Sequence, residues 1–371
     1  MKILLLVAGG RAGSDFFQSL LDNHSQILQF PGILKESNLK KIITSNSKKK
    51  IAKDFINAYP HFFNSKLEKF ERWDKLGKKR NNYFTVDKKK FLNAFLFFSQ
   101  KKNLHKLDIL VNLHKAYAKA KGRNPKKTRL IFIHTHLFSW TKNFIKFFDL
   151  KKFEFVHTIR HPLSSVSSPI KTWLNFKNGY GFFPKDLYFH LDLAFNCIND
   201  LKKISKVHVV QLEQLHRNNE FIMKRFCKNF RINFEKSLKK STKNGLIWWG
   251  DKASKKWISG INKNFSIKVD ESFFYLRDLQ YIECLSSNII KKYNYSFLYP
   301  RKNFFFNFLP MKCEILVWKN TLKNLFTNGF RWKHLISIPI FYILRLLLLN
   351  KLIIRISNTK LEKFPKNIIR A

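Results

Sequence analysis

Lys2 to Ala8 (KILLLVA) is an apolar run that stops at two glycines, Gly9 and Gly10. A run of that length closed by glycines reads as a buried strand. Arg11, Ala12, Gly13, Ser14 and Asp15 follow as a loop with one cation inside it. Phe16, Phe17, Leu20 and Leu21 then recur at helical spacing, so a helix is expected from Ser14. Strand, glycine loop and helix in that order form a layout that grips phosphate. Glycines let the backbone come close, the free N–H groups of the first helical turn point at the anion, and the cation sits between them. Two common phosphate loops do not fit. No Lys follows Gly13, as the nucleotide-triphosphate loop requires, and three glycines spaced GxGxxG are missing. The same stretch also has a ligand-free reading, a plain strand, turn and helix.

Charge points the same way. The chain carries 71 Lys and Arg against 24 Asp and Glu, a net charge of +47, and is drawn to anions: a nucleotide cofactor, an anionic glycan, an acidic membrane face or nucleic acid. Lysines run along the whole chain rather than in one arm, and no zinc-finger, RNA-binding aromatic or basic-zipper pattern occurs, so no specific nucleic-acid module is expected. The 371 residues, 45% of them hydrophobic, suffice for one large domain or two ordinary ones with a sizeable core. Forty phenylalanines read as compositional bias. Cys197, Cys227, Cys284 and Cys313 lie far apart and read as free thiols of a reducing compartment. The apolar run Met1 to Ala8 is too short for a signal peptide and leads straight into the loop.

Three more compact apolar runs read as strands. Leu130 to His134 (LIFIH) ends in Thr135-His136-Leu137. Chemistry in open α/β sheets gathers at the carboxyl ends of strands, and an imidazole there is suited to take a hydroxyl proton. His134 competes with His136, since residues two apart on a strand share a side. A hydrogen-bonded strand-end histidine is the plainer alternative. Phe153 to Ile159 ends in Arg160-His161-Pro162-Leu163, with Ser167-Ser168 beyond. Arg160 offers a planar fork for phosphate and Ser168, eight residues on, a further donor; Pro162 suits the start of the intervening helix. A strand-end arginine paired with a surface carboxylate is the alternative. Lys206 to Leu212 (KVHVVQL) is the last of these strands, followed by Glu213, which is expected to pair with a cation or cap backbone. Helical spacing marks Phe91 to Phe98, Leu107 to Ala120, Phe182 to Leu201 and Phe221 to Phe230. Glu36 and Asp74 are polar residues of the Lys-rich stretch before Arg129 without an assigned role, and Trp248, Trp249, Gly250, Asp251 and Lys252 form a polar-aromatic knot.

Taken together, these strings resemble the sulfotransferase family that uses 3′-phosphoadenylyl sulfate (PAPS). Arg11-Ala12-Gly13-Ser14 and Gln18-Ser19-Leu20-Leu21-Asp22-Asn23-His24-Ser25-Gln26-Ile27 are similar to its bacterial carbohydrate and cell-surface branch, Thr135-His136-Leu137 to its catalytic histidine segment, and the Arg160 to Ser168 step to its 3′-phosphate motif. The likeness covers about Lys2 to Leu298. It implies an α/β fold, a P-loop-like three-layer sandwich with a central parallel sheet, over residues 1–300, with 31–129 as a variable helical acceptor region and 301–371 as a basic, apolar extension. It implies PAPS as cofactor, its product 3′-phosphoadenosine 5′-phosphate (PAP), no metal, and a hydroxyl acceptor, a carbohydrate or glycolipid. By the same likeness, Gly10, Arg11, Ala12, Gly13, Ser14, Asp15 and Phe16 hold the 5′ side of the cofactor, with Phe16 stacking on adenine. Arg160 and Ser168 hold the 3′-phosphate, Lys252 (or Lys255 or Lys256) closes over it, Arg11 stabilises transferred charge, and His136 is the base. The chain departs from the family at Phe138 for proline, at Leu212 for tyrosine, and at Asp15 for a second hydroxyl. A carboxylate at Asp15 must be turned away or paired, with a lysine for instance.

Leu335 to Leu349 (LISIPIFYILRLLLL) is strongly apolar but is broken by Pro339 and Arg345, and is short for a membrane span. With Lys333, Arg345, Lys351 and Arg355 around it, the 335–355 stretch reads as an amphipathic helix on an anionic bilayer face. The alternative is a helix packed on the catalytic domain or on a second subunit in a homo-oligomer. The expected location is cytoplasmic, peripheral on the inner face of the membrane. Two other functions stay open: a nucleotide-dependent phosphotransferase on the same fold, and a non-enzymatic basic protein bound to membrane or nucleic acid.

Overall fold

The structure, a computed structural model, describes residues 1–8, 11–45, 47–176, 184–252, 257–300, 309–327, 332–357 and 368–369. Its centre is β1 (Lys2–Ala8), paired in parallel on one side with β3 (Leu130–His136) and on the other with β4 (Glu154–Ile159). Beyond β3 lies the short β2 (Ile27–Leu28); beyond β4 lie β5 (Val207–Gln211) and a two-residue edge strand, Ile368–Ile369. The order is thus β2-β3-β1-β4-β5 plus the edge strand, all parallel. The chain moves outward from β1 in both directions, so a crevice opens where those directions part, at the carboxyl ends of β1, β3 and β4.

The strand side chains explain the layers. Ile3, Leu5 and Val7 of β1 join one buried cluster and Leu4 and Leu6 join another, so both faces of the strand are covered. That is why β1 reads as a continuous apolar run rather than an alternating one. The helix Ser14–Leu21 packs Phe17, Leu20 and Leu21 into the second cluster beside Phe132 and Phe226. The helices Lys48–Ala58, Lys88–Phe98 and Lys106–Ala120 cover the other face with Phe55, Phe91 and Tyr117. This is the three-layer α/β sandwich that the family resemblance implies, and the main strand positions read from the sequence pattern agree within two residues.

The stretch after residue 300 shares this core: Met311, Cys313, Val317, Leu349 and Leu352 belong to the first cluster. The helix Trp332–Ser357 lies against the helix Pro184–Lys202. Arg345, expected at a lipid headgroup, is instead 1% exposed and ion-paired with Glu314, Nε to Oε2 at 2.9 Å, with Nη2 donating to the Leu309 carbonyl at 2.9 Å. A desolvated charge needs that full set of partners. Arg355 pairs with Asp192 and Asp200. Ile340, Ile343, Leu344, Leu347 and Ile354 stay exposed on the helix. Among the described residues no helix is long and apolar enough to cross a membrane.

Three core histidines predict an acid limit. His114, His134 and His157 are at most 2% exposed, and burial pulls their pKa values down to about 4, 3 and 4. An unfolded imidazole titrates near ~6.5. Below that pH the unfolded chain binds the extra protons, so stability present above about 6.5 is lost as pH falls towards the folded values. Each group contributes on the order of 3 kcal/mol. Tm should therefore drop steeply from about pH 6.5 to 4 by calorimetry; a flat Tm over that window would contradict the buried neutral state.

Candidate active site

The loop after β1 holds its shape through left-handed backbone. Arg11 has φ 42° and Gly13 φ 80°, and the first intrahelical bond runs from Phe17 N–H to the Gly13 carbonyl at 2.9 Å. The N–H groups of Ser14, Asp15 and Phe16 are therefore unclaimed by the helix, the arrangement that suits an anion. A Cβ on Gly13 would sit 2.4 Å from Leu212 Cδ1. Gly13→Ala should cost on the order of 2–3 kcal/mol through clash and strain together, measured by urea unfolding; an unchanged midpoint would contradict this packing.

A cavity of about 470 Å³ opens above the loop. Of the residues singled out from sequence, Arg11, Gly13, Ser14, Asp15, Phe16, His136, Arg160 and Ser168 line it. Ala12 is buried beneath the loop. Gly10 lies outside the described residues, as do Lys255 and Lys256. Lys252 does not line the cavity; its backbone N–H donates to the Phe70 carbonyl at 2.9 Å and its side chain is exposed. Its neighbours Gly250 and Asp251 line the cavity in its place.

Three cationic and hydroxyl groups converge here. Arg11 Nη1 pairs with Asp251 Oδ2 at 2.7 Å, and its Nε reaches Ser168 Oγ at 3.5 Å. Ser168 comes from the helix Pro162–Phe176, which starts at Pro162. The adjacent hydroxyl, Ser167, is occupied elsewhere, accepting from Asp270 N–H at 2.9 Å. Arg160 stands at the end of β4 with its Nε buried and without a hydrogen-bond partner among the described residues. Burial lowers its pKa, countered by the nearby Glu213 carboxylate. Glu213 accepts from His161 N–H at 2.8 Å and from the Tyr295 hydroxyl at 3.0 Å, so it caps backbone as well as facing the cation. Phe16 stacks on His216, centroids 4.3 Å apart, and His216 stacks on Phe265 at 4.4 Å, so one face of Phe16 is already covered.

Facing these groups is a pair of histidines. The register of β3 against β1 slips between Leu6 and Val7, which pair with His134 and His136 and leave Thr135 as an extra residue. The bulge turns His136 into a left-handed conformation, φ 67°. His136 Nδ1 lies 3.3 Å from His134 Nε2, and His134 Nδ1 lies 3.0 Å from Gln18 Oε1. Both expected candidates are thus present, but only His136 lines the cavity; His134 is behind it. Burial lowers the pKa of His136, opposed by Asp15 and helped by Arg11. Asp15 Oδ1 lies 3.7 Å from His134 Nδ1. Enclosure pushes its pKa up, but His134, Lys243, His136 and Arg11 together hold it below the ordinary carboxylate value.

Trp248, from the polar-aromatic knot, lines the cavity too, and Ile33, Phe70, Glu71 and His190 add wall that was not expected. Glu71 Oε2 is buried without a hydrogen-bond partner among the described residues, and burial, with Asp15 and Asp251 nearby, raises its pKa well above the usual range. Lys243 is buried behind this wall, donating to the Pro31 carbonyl at 2.7 Å between the rings of Trp73 and Trp248. It sits on a hairpin of Thr242–Lys243 and Leu246–Ile247, turned by Asn244 and Gly245 at φ 54° and 81°. Asn-Gly is a strong hairpin signal, readable from sequence.

No protein-family model and no curated protein sequence matches the chain. Among solved structures it is similar to a sulfotransferase domain from the Synechococcus PCC 7002 olefin synthase: 13% identity, 76% of this chain and 94% of that one, TM-score 0.39. It is also similar to a sulfotransferase domain from the curacin biosynthetic pathway: 14% identity, 86% of this chain and 97% of that one, TM-score 0.35. Similarity at this level carries nothing about acceptor or chemistry, which rest on the side chains of the cavity.

Proposed function

We propose that the protein is a sulfotransferase that moves a sulfuryl group from PAPS to a hydroxyl, most suitably on a sugar. The observation that carries this reading is Arg160: a cavity-lining guanidinium whose buried Nε has no hydrogen-bond partner among the described residues, beside Ser168 and Arg11. An unsatisfied buried donor calls for a ligand acceptor, and a planar guanidinium favours phosphate. A second element suited to an anion, the loop from Arg11 to Phe16, lines the same cavity. Two anion sites in one cavity suit a nucleotide with phosphates at both ends better than ATP, whose phosphates form one chain.

When bound, PAPS supplies the sulfuryl group, whose transfer makes an O–S bond to the acceptor and releases PAP. The residues divide the remaining work. Arg160 and Ser168 would hold the 3′-phosphate. Arg11, exchanging Asp251 for the ligand, and the N–H groups of Ser14 to Phe16 would stabilise negative charge at the 5′ side. His136, neutral at pH 7, would take the proton of the attacking hydroxyl. Glu71, whose carboxyl is biased towards its protonated form by burial and by Asp15 and Asp251, would hydrogen-bond a sugar hydroxyl, and Trp248 and Phe70 offer ring faces to the sugar's apolar side. The test is to incubate the protein with PAPS and a panel of glycan and glycolipid acceptors, following acceptor mass and PAP together. One sulfuryl group gained per PAP released is the expected result; PAPS left intact with every acceptor while ATP is turned over would favour the phosphotransferase instead.

A further inference from the structure

The hydrogen bonds behind His136 determine which of its ring nitrogens carries the proton. Gln18 is 1% exposed, and its Nε2 donates to the Phe30 carbonyl at 2.9 Å and reaches the Gly32 carbonyl at 3.4 Å. An amide nitrogen held by two carbonyl oxygens fixes the flip of the side chain. Gln18 Oε1 must then be the atom 3.0 Å from His134 Nδ1. Asp15 Oδ1, 3.7 Å from that same nitrogen, is another acceptor. His134 Nδ1 is therefore protonated. The ring is fully enclosed and neutral at pH 7, so its Nε2 is bare. That bare nitrogen faces His136 Nδ1 at 3.3 Å. The opposite arrangement would set two lone pairs against each other, so His136 carries its proton on Nδ1 and leaves Nε2 bare.

We propose that Gln18 and His134 are positioning residues that lock His136 in the tautomer with an unprotonated Nε2, ready to accept the proton of an acceptor hydroxyl. The role in transfer rests on the sulfuryl-transfer reading above; the hydrogen-bond chain does not. As the acceptor oxygen bonds to sulfur and the bond from sulfur to the bridging oxygen breaks, leaving that oxygen on the 5′-phosphate of PAP, the hydroxyl proton would go to His136 Nε2. The imidazolium keeps its Nδ1–H on His134, so no proton travels further down the chain. The charged and titratable groups that face the pair are Asp15, Arg11, Lys243 and His190. Of these, Asp15 favours a proton on either ring, Arg11 opposes one on His136 and Lys243 opposes one on His134. The same two histidines without Gln18 would be free to invert both rings, so the buried amide sets the direction of the chain.

The test reads the tautomer directly, on the full chain labelled with nitrogen-15, by long-range proton–nitrogen correlation of the imidazoles at pH 7. His136→Asn identifies the His136 signals by their loss. The expected spectrum has His136 protonated at Nδ1 and bare at Nε2. His134→Leu removes the acceptor and should shift His136 towards the Nε2-protonated form. His134→Gln, whose Oε1 can replace the lost ring nitrogen as acceptor, should keep Nδ1 protonated. A wild-type His136 protonated at Nε2 would overturn the proposal even if the Leu variant fails to fold, and so would an unchanged tautomer in a folded His134→Leu. PAP affinity, measured in parallel, reports the donor site and not the relay. Loss of selective PAP binding in the wild type would remove the donor reading while leaving the tautomer legible.

Discussion

Arg160→Ala is expected to abolish the distinction between PAP and 5′-AMP. The wild-type guanidinium lines the cavity with a buried Nε that finds no acceptor among the described residues, so that donor is available to a phosphate. Charge-assisted bonds contribute about 1.5–3 kcal/mol each, and a bidentate pair is lost at once. PAP affinity should fall by about 10²- to 10³-fold. Affinity for 5′-AMP, which has no 3′-phosphate, should barely change. Glu213 keeps the His161 N–H and Tyr295 hydroxyl as donors, so the variant does not leave a bare buried carboxylate. Arg160→Lys should recover only part of the loss, because an ammonium is a point charge without the planar fork. Calorimetric titration decides the matter: a loss shared equally by PAP and 5′-AMP would place the 3′-phosphate elsewhere.

His136→Asn should lower the rate of transfer by about 10²- to 10⁴-fold, the usual contribution of a positioned base, with PAP affinity unchanged. The pH profile carries a second signature. Burial lowers the His136 pKa below its ordinary value, so the active neutral form persists from neutral pH down past about 6.5. The rate should be flat above that and fall only on further acidification. Asp15 opposes the lowering; Asp15→Asn should therefore move the acid limb to still lower pH. A limb that moves upward in Asp15→Asn, or an undiminished rate in His136→Asn, would take the base role away from His136.

The parts of this site legible in the sequence are those in which local chemistry and local geometry coincide. β1 is apolar on both faces because both faces are buried, so its pattern could be read without knowing its neighbours. Arg11 and Gly13 sit in the turn that their own backbone makes, and Arg160 and Ser168 are tied by one strand end and one helix. The cavity's other members arrive from far along the chain. Asp251 reaches Arg11 across 240 residues, and Glu71 enters from a turn-rich segment with no periodic pattern. The polar-aromatic string around Asp251 was visible but not its partner, and Glu71 has no local signal to find. The β3 bulge is also invisible to an alternation rule, since it depends on how Leu6 and Val7 register against β3. Arg345 misled for a related reason: its charge suggests water or headgroups until Glu314 is seen beside it. The Asn244-Gly245 hairpin was different, because its turn dipeptide was in plain view and could have brought Lys243 and Trp248 to the cavity wall.

The central claim is a donor site that recognises a 3′-phosphate. Titrating the wild-type protein with PAP, ADP and 5′-AMP at moderate salt tests it most directly. The account predicts that PAP binds at least about 10²-fold more tightly than 5′-AMP, with ADP close to 5′-AMP, and that the gap survives added salt. Equal weak binding of all three, erased by salt, would mean that the net charge of +47 alone attracts them and would contradict the donor site.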